Sequence, residues 1–471
     1  MTAYSDSNSQ DEVQLYPIRW LFLAVAALFY LLFCYSSVSI SQINNIFVLY
    51  FDVTYAAVDW GSIGQFAGAS FATVFVSWLT FTKRLQFRRL VITVAILMCL
   101  SLSVKMAAFA DTKLFALITV GQLLGGACLA LQFPMNVALI MAWFPHEEVG
   151  TALGVFLFGG SAGDVLGTLL PSHVVRQPPT NATSKSDAWR TVDRNICLLL
   201  WAVPFILYFV SMLLMIWLAA DYPPKPPTLV QKQDRKRSDV RPTSDEFFST
   251  CKQLVKNKNF FIAITGGSII YHLNTGEYTM MTQLMTKVLR DSTHNVDVMS
   301  GYSISLLFCG AVVGSLVGGK VVNISKRYKA QAVSAAILVV LSSAAVLVSY
   351  HYNSFLGIFV GNVMLGFFAR LYVLALIEIL TQTTYPINES FVITIFNGFG
   401  CLMSIVVAEL GRLVYNNAGG FWMLLFQTSF AILGVLFIAL VATTNKRLDA
   451  ESVLRGNTRE LGEESGLLDH S

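Results

Sequence analysis

The sequence carries too little charge for a soluble protein of its length. Asp, Glu, Lys and Arg together make up 13% of the 471 residues, whereas hydrophobic residues make up 55%. A water-facing surface needs about a quarter or more of its residues charged. The length alone would suggest about three soluble domains. The shortage of charged residues excludes that interpretation.

Signatures of catalysis and of cofactor binding are missing as well. The sequence contains no glycine-rich phosphate loop ending in Gly-Lys-Ser/Thr, no serine-hydrolase motif and no run of metal ligands. Its seven cysteines follow neither a metal nor a disulfide spacing. We therefore expect no enzyme, no ATP-driven pump, and no metal or cofactor.

Long apolar runs are present instead. About twenty apolar residues suffice to cross the hydrocarbon core of a membrane, and twelve runs meet that length. They show no amphipathic period of the kind that surface helices have, so we predict an all-α membrane protein with twelve transmembrane helices. The predicted spans are 20–42, 57–80, 90–110, 114–136, 148–171, 197–219, 259–285, 299–321, 331–350, 355–381, 391–413 and 420–443.

Basic residues gather on one side of these spans. Clusters follow spans two, six, eight and twelve, and the largest runs from Lys225 to Lys258. Positive residues favour the cytoplasmic side of a membrane, so both termini are predicted to be cytoplasmic. We expect this charge to set the orientation of the chain beside the membrane lipid, and we favour this over nucleic-acid binding.

Glycosylation motifs provide an independent test of this orientation. Asn181 begins the motif Asn-Ala-Thr in the loop between spans five and six, on the non-cytoplasmic side, and is predicted to be glycosylated. Asn323 and Asn388 begin similar motifs on the cytoplasmic side. We predict that both remain unmodified.

The chain divides into two halves of six spans. "FPHEE" from Phe144 follows span four and "YPINE" from Tyr385 follows span ten, so an aromatic-Pro-x-x-Glu motif recurs at equivalent places. Two parallel six-helix halves of this kind resemble the major facilitator fold. The predicted parts are an N-terminal tail (1–19), a first bundle (20–219), a basic linker (220–258), a second bundle (259–445) and a C-terminal tail (446–471).

Two spans carry glycine at every fourth position. The glycines are Gly159, Gly163 and Gly167 in span five, and Gly310, Gly314 and Gly318 in span eight. Such spacing clears one helix face for close approach of another backbone. In the major facilitator fold, spans two, five, eight and eleven form the seam between the halves, where we expect these glycines. Ordinary tight packing without motion predicts the same residues and stays an alternative.

Ionisable groups inside spans identify a candidate site. Asp164, Arg370 and Glu378 each cost several kcal/mol in lipid unless they are paired or wetted. Arg370 and Glu378 share one face of span ten and are expected to meet partners on other helices or a solute. In span seven, Asn274 and Gly276 weaken the helix and predict a local break. Further polar and aromatic candidates near these positions are Tyr271, Tyr278, Gln283 and Tyr372.

The sequence resembles the family of the feline leukaemia virus subgroup C receptor (FLVCR-like transporters). The resemblance lies in "YHLNTG" in span seven, "VDWGS" at span two, residues 121–152 and "TYPINES" before span eleven, and it extends from about 17 to 447. It implies transport of choline- or ethanolamine-type cations or of haem. Where the family has a span-one Trp and a span-five Gln, this chain has Ser37 and Ser161. Tyr35 and Asp164 are the expected replacements.

We therefore expect a major facilitator transporter that moves a small organic solute by alternating access, without ATP. A non-transporting receptor or sensor with the same fold is the alternative. The tail segment "EESGLLD" fits an acidic-dileucine signal for endosomal sorting adaptors through Glu463, Leu467 and Leu468. The expected location is the plasma membrane or an endosomal or lysosomal membrane.

Overall fold

The computed structural model describes residues 14–41, 44–82, 87–174, 187–218, 223–225, 242–290 and 296–442. Within these ranges the chain is helical and contains no strand. The helices are α1 (Ile18–Val38), α2 (Asn44–Phe51), α3 (Tyr55–Phe81), α4 (Phe87–Ala107), α5 (Phe115–Trp143), α6 (His146–Val174), α7 (Asp187–Leu218), α8 (Ser244–Lys256), α9 (Lys258–His272), α10 (Asn274–Val288), α11 (Val296–Ser325), α12 (Tyr328–His351), α13 (Phe355–Thr384), α14 (Glu389–Ala418) and α15 (Gly420–Leu440). We call the end of the bundle with the first turn of α1 the inner end, and the opposite one the outer end.

Eleven helices in the described ranges are long and apolar enough to cross a membrane. The remaining predicted span, 259–285, is interrupted: α9 and α10 have 15 residues each and meet at Leu273. Neither alone reaches across about 30 Å of hydrocarbon. Leu273 keeps helical angles (φ −53°, ψ −42°), so the interruption is mild and falls one residue before the predicted break.

The three glycines of α6 pack against α1, which belongs to the same half. A Cβ on Gly163 would overlap the backbone carbonyl of Leu31, and one on Gly167 would lie 2.6 Å from the carbonyl oxygen of Tyr35. Gly159 faces the backbone of Ala27 in the same way. The prediction that Gly159, Gly163 and Gly167 line the seam between the halves is therefore wrong.

The corresponding glycines of α11 also pack within their own half. Gly310 and Gly314 face the backbone of α13 at Val363 and Phe367, and Gly318 faces Leu371 and Leu374 of the same helix. Gly310, Gly314 and Gly318 are thus packing positions, not seam positions. Close packing of α11 on α13 has a counterpart in the first half, where α3 packs on α5 through Gly68 and Gly126. This matching pair favours the predicted six-and-six division.

The seam itself joins the helices that were expected, through other residues. α6 packs on α11, and α3 packs on α14. A Cβ on Gly154 of α6 would lie 2.6 Å from the carbonyl oxygen of Ser315, and one on Gly319 would lie 2.5 Å from that of Gly150. At about 100° per residue, Gly159 is about 140° around the helix from Gly154, so the two face different neighbours.

The predicted basic linker contains a helix that the sequence analysis did not anticipate. α8 begins with a capping box, in which the Thr243 side chain accepts from the Glu246 backbone and the Glu246 side chain accepts from the Thr243 backbone. Phe247 of α8 packs edge-on against Phe81 of α3 and Phe391 of α14, with ring centroids 5.6 and 5.7 Å away. α8 therefore covers the inner end of the α3–α14 seam.

Candidate functional site

A cavity of about 150 Å³ lies between the two halves, near mid-length of most of the helices around it. The first half supplies residues of α1, α3, α5 and α6, and the second half supplies residues of α9, α11, α13 and α14. Five aromatic rings contribute to its wall. They are Tyr30, Phe33, Phe66, Tyr271 and Phe308.

Two opposite charges face each other across this cavity. Asp164 of α6 and Arg370 of α13 form an ion pair with 4.0 Å between Oδ2 and Nη2, and their side chains are only 11% and 9% exposed. The Nη1 atom of Arg370 donates to the Tyr271 hydroxyl at 3.3 Å, and the guanidinium lies 5.8 Å from the centre of that ring. Each of these charges would be energetically costly within the membrane if it were unpaired, and the ion pair neutralises both. It also joins the two halves.

Polar groups that the sequence analysis did not select complete the wall. The Ser37 hydroxyl donates to Oε1 of Gln65, and Nε2 of Gln122 donates to the Ser37 carbonyl at 3.4 Å. On the other side Asn397 of α14 lines the cavity, and its Nδ2 has no hydrogen-bond partner among the described residues. Gln65 and Asn397 had a detectable signal, since both are amides inside apolar runs.

The structure brings together three of the predicted site residues, Asp164, Tyr271 and Arg370. Tyr35 is not part of the lining, because Cys34, Ser37 and Val38 place the cavity on another face of α1. Tyr372 is two residues from Arg370, about 200° around α13, and is buried away from the cavity. The predictions for Tyr35 and Tyr372 as cavity residues are therefore wrong.

Three further predicted residues lie outside the lining. Ser161 is fully buried in α6 beside the cavity, and its hydroxyl has no hydrogen-bond partner among the described residues. Glu378 is buried about 12 Å along α13 from Arg370, towards the inner end. Gln283 lies in α10, where its carbonyl accepts from the Tyr415 hydroxyl at 3.4 Å. The side chains of Asn274 and Tyr278 lie outside the described part of the structure, as do Asn181, Glu463, Leu467 and Leu468.

The halves also contact each other towards the outer end. Asp59 of α3 forms an ion pair with Arg412 of α14, at 3.4 Å between Oδ2 and Nη2. Thr168 of α6 bonds to the Ser305 hydroxyl of α11 at 2.6 Å. On both helix pairs these residues lie further towards the outer end than the cavity does, so the halves are joined on that side of the cavity.

A second set of contacts closes the inner end. Asn323 of α11 accepts from the Gly150 backbone at 3.0 Å through Oδ1, and donates to the Thr151 hydroxyl at 2.8 Å through Nδ2. Phe81 and Phe391 pack edge-on across the α3–α14 seam with ring centroids 5.0 Å apart. The cavity thus lies between two sets of cross-half contacts along the α6–α11 and α3–α14 seams.

Comparison with known proteins identifies the family. The sequence pattern of the Major Facilitator Superfamily matches residues 21–408. The chain belongs to the Major Facilitator Superfamily. It is therefore a membrane transporter and not an enzyme, and nothing in the comparisons supports the receptor or sensor alternative.

Similar proteins within this superfamily agree with the resemblance noted in the sequence. The choline/ethanolamine transporter flvcr2b of Danio rerio is 24% identical over 440 residues, which cover 93% of this chain and 86% of the relative. The choline/ethanolamine transporter FLVCR2 of Homo sapiens is 23% identical over 452 residues, covering 95% and 82%. Among solved structures, the fucose:proton symporter FucP of E. coli has a TM-score of 0.65 at 13% identity, covering 90% and 100%, and shares the fold.

Proposed function

We propose that this transporter moves a small amine-bearing solute, of the chemical class named for its choline/ethanolamine-transporting relatives, through the cavity at Asp164. The observation that carries the proposal is the Asp164–Arg370 ion pair, because it places a carboxylate in the cavity and links the halves that must separate during transport. Alternating access would open the inner and the outer contacts in turn.

The wall of the cavity suits an amine. The Asp164 carboxylate attracts an ammonium group, and the surrounding rings, including Tyr30 and Tyr271, attract a cation through their faces. The volume also favours a small solute. At about 150 Å³ the cavity is smaller than the roughly 300–1,000 Å³ pockets that hold drug-sized ligands, so haem, a large macrocycle, fits it poorly.

The finer predictions on location remain part of this proposal. Both termini are proposed to be cytoplasmic, with the protein in the plasma membrane or in endosomal or lysosomal membranes. The dileucine signal at Leu467 and Leu468 would recruit endosomal sorting adaptors. The side chains of Asn323 and Asn388 are expected to remain unglycosylated, and both are engaged in hydrogen bonds. Asn323 donates to the Thr151 hydroxyl of α6, and Asn388 caps α14 by accepting from the Phe391 backbone at 3.2 Å.

The test is uptake of radiolabelled small amines into proteoliposomes that contain the purified protein. Asp164→Asn keeps the shape of the side chain but removes its charge, so we expect loss of amine uptake per folded transporter. Some loss of thermal stability is also expected, because Arg370 loses its charged partner. Asp111→Asn is the matched control, because Asp111 is an exposed carboxylate that caps the turn at Lys113, and Asn caps equally well. Unchanged uptake by Asp164→Asn would remove Asp164 from the proposal.

A further inference from the structure

The charges that line the cavity balance each other. Asp164 and Arg370 are the only side chains with a full charge among its lining residues, and they have opposite signs. A cation bound beside them adds an uncompensated positive charge between two largely buried side chains, next to an arginine that is always protonated. Such a solute gains from Asp164 but is opposed by Arg370.

The ion pair leaves hydrogen-bonding capacity on both partners. The 4.0 Å between Oδ2 and Nη2 exceeds hydrogen-bond length, so the two groups attract each other without a hydrogen bond between these atoms. A guanidinium has five N–H donors, of which one is directed to the Tyr271 hydroxyl. A ligand with groups of both signs fits between the two partners and forms the hydrogen bonds that the pair lacks.

The two charged groups lie on opposite walls of the cavity. The first half presents the Asp164 carboxylate, which accepts. The second half presents the Arg370 guanidinium, which can only donate, and the Asn397 amide. Asn397 is only 7% exposed, and its Nδ2 donor has no hydrogen-bond partner among the described residues. A buried donor without a partner is costly, and an acidic ligand group at this wall would satisfy it.

We propose that the solute is zwitterionic: one small molecule that carries an ammonium group for Asp164 and a carboxylate or phosphate for Arg370 and Asn397. This inference rests on the proposed function and narrows it, from amines in general to amines that also carry an acid. Binding replaces one ion pair by two, so the cavity stays neutral while Asp164 and Arg370 are released from each other. The bound solute then bridges the two halves.

Matched solutes test the acid requirement directly. Choline and glycine betaine differ only in that a carboxylate replaces the hydroxymethyl group, and ethanolamine differs from the amino acid glycine in the same way. In proteoliposomes containing the full-length protein, we expect the acid of each pair to be taken up at least about tenfold better, as expected for charge-assisted hydrogen bonds. Inhibition of this uptake by phosphocholine and phosphoethanolamine shows whether the site prefers a phosphate or a carboxylate as the acidic group.

Substitution of the arginine assigns the effect to this site. Arg370→Gln keeps hydrogen-bonding ability but removes the charge, so preference should shift at least about tenfold towards choline and ethanolamine. Arg370→Lys keeps the charge and should retain the preference for the acids. Thermal stabilisation of the wild-type protein by each solute gives the same ranking without depending on whether a variant folds.

The outcomes separate the two proposals. Wild-type preference for choline and ethanolamine, or an unchanged ratio in Arg370→Gln, would overturn the zwitterion inference and leave amine transport standing. No uptake of any of the amines or their acids would refute the proposed function itself, and the inference with it.

Discussion

Asn323 offers the sharpest test of how the inner end closes. Its side chain makes two hydrogen bonds from α11 to α6, accepting from the Gly150 backbone at 3.0 Å and donating to the Thr151 hydroxyl at 2.8 Å. Both bonds cross the seam, so both are lost when the inner end opens. Asn323→Ala removes them without adding bulk.

The size of the effect follows from the number of bonds. A typical hydrogen bond contributes about 0.5–1.5 kcal/mol, so the pair contributes about 1–3 kcal/mol to the closed inner end. A bias of that size changes a two-state equilibrium roughly 5- to 150-fold. We therefore expect Asn323→Ala to shift the protein strongly towards the state that is open at the inner end.

The measurement is labelling of a cysteine placed in the seam. Ser315 is fully buried against Gly154, so Ser315→Cys, in a background without the native cysteines, reports opening of the inner end. We expect Asn323→Ala to raise the rate of maleimide labelling from the inner side, and to lower the rate at a cysteine near the outer end.

Asn362→Ala is the matched control. Asn362 of α13 donates to the Ser303 hydroxyl of α11 at 2.9 Å, within one half, so its loss costs stability without favouring either open state. Equal labelling of Ser315→Cys in the wild type and in Asn323→Ala, or an equal rise in Asn362→Ala, would refute the assignment of Asn323 to the closed inner end.

Three further predictions follow from the packing and the topology. Gly163→Ala should lower the free energy of unfolding in detergent by about 1–3 kcal/mol, because the added methyl group overlaps a backbone carbonyl of α1. Gly411→Ala should be neutral, because its methyl group would lie 3.8 Å from the nearest neighbouring atom. Equal melting temperatures of the two variants would contradict this account. Arg412→Gln breaks the ion pair with Asp59 and should raise labelling from the outer side, opposite to Asn323→Ala; no change would show that the pair does not hold the outer end. Asn181→Gln should abolish a glycosidase-sensitive mobility shift, and a shift that persists would point to another acceptor.

Much of the fold was predictable because its signals are local. A span shows in the sequence as a run of apolar residues as long as the hydrocarbon core is thick, and eleven continuous helices plus the interrupted pair α9–α10 occupy the predicted runs. Asp164, Arg370 and Tyr271 were also identifiable, the first two because a charge inside an apolar run is costly unless it has a role. α8 carried a readable capping box that was missed beside the basic residues of the linker.

The orientation of each helix was not predictable in the same way. Surface helices reveal their inward face through an amphipathic pattern, but these spans are apolar on every side. The glycines of α6 show the consequence: Gly154 faces α11 across the seam, whereas Gly163 faces α1 within its half. The same limit explains why Tyr35 was wrongly placed in the cavity. Gln65 and Asn397, in contrast, are amides inside apolar runs and could have been selected from the sequence.

The sequence by itself determined the number of spans, the class of fold and the identity of the charged residues, because hydrophobic length and the cost of a charge in lipid depend on residue type alone. Only the tertiary structure decided that Asp164 meets Arg370 from the opposite half, and that Asn323 bonds to α6 across the inner part of the seam. Both contacts depend on how each helix is rotated about its axis, and that rotation is set by its neighbours.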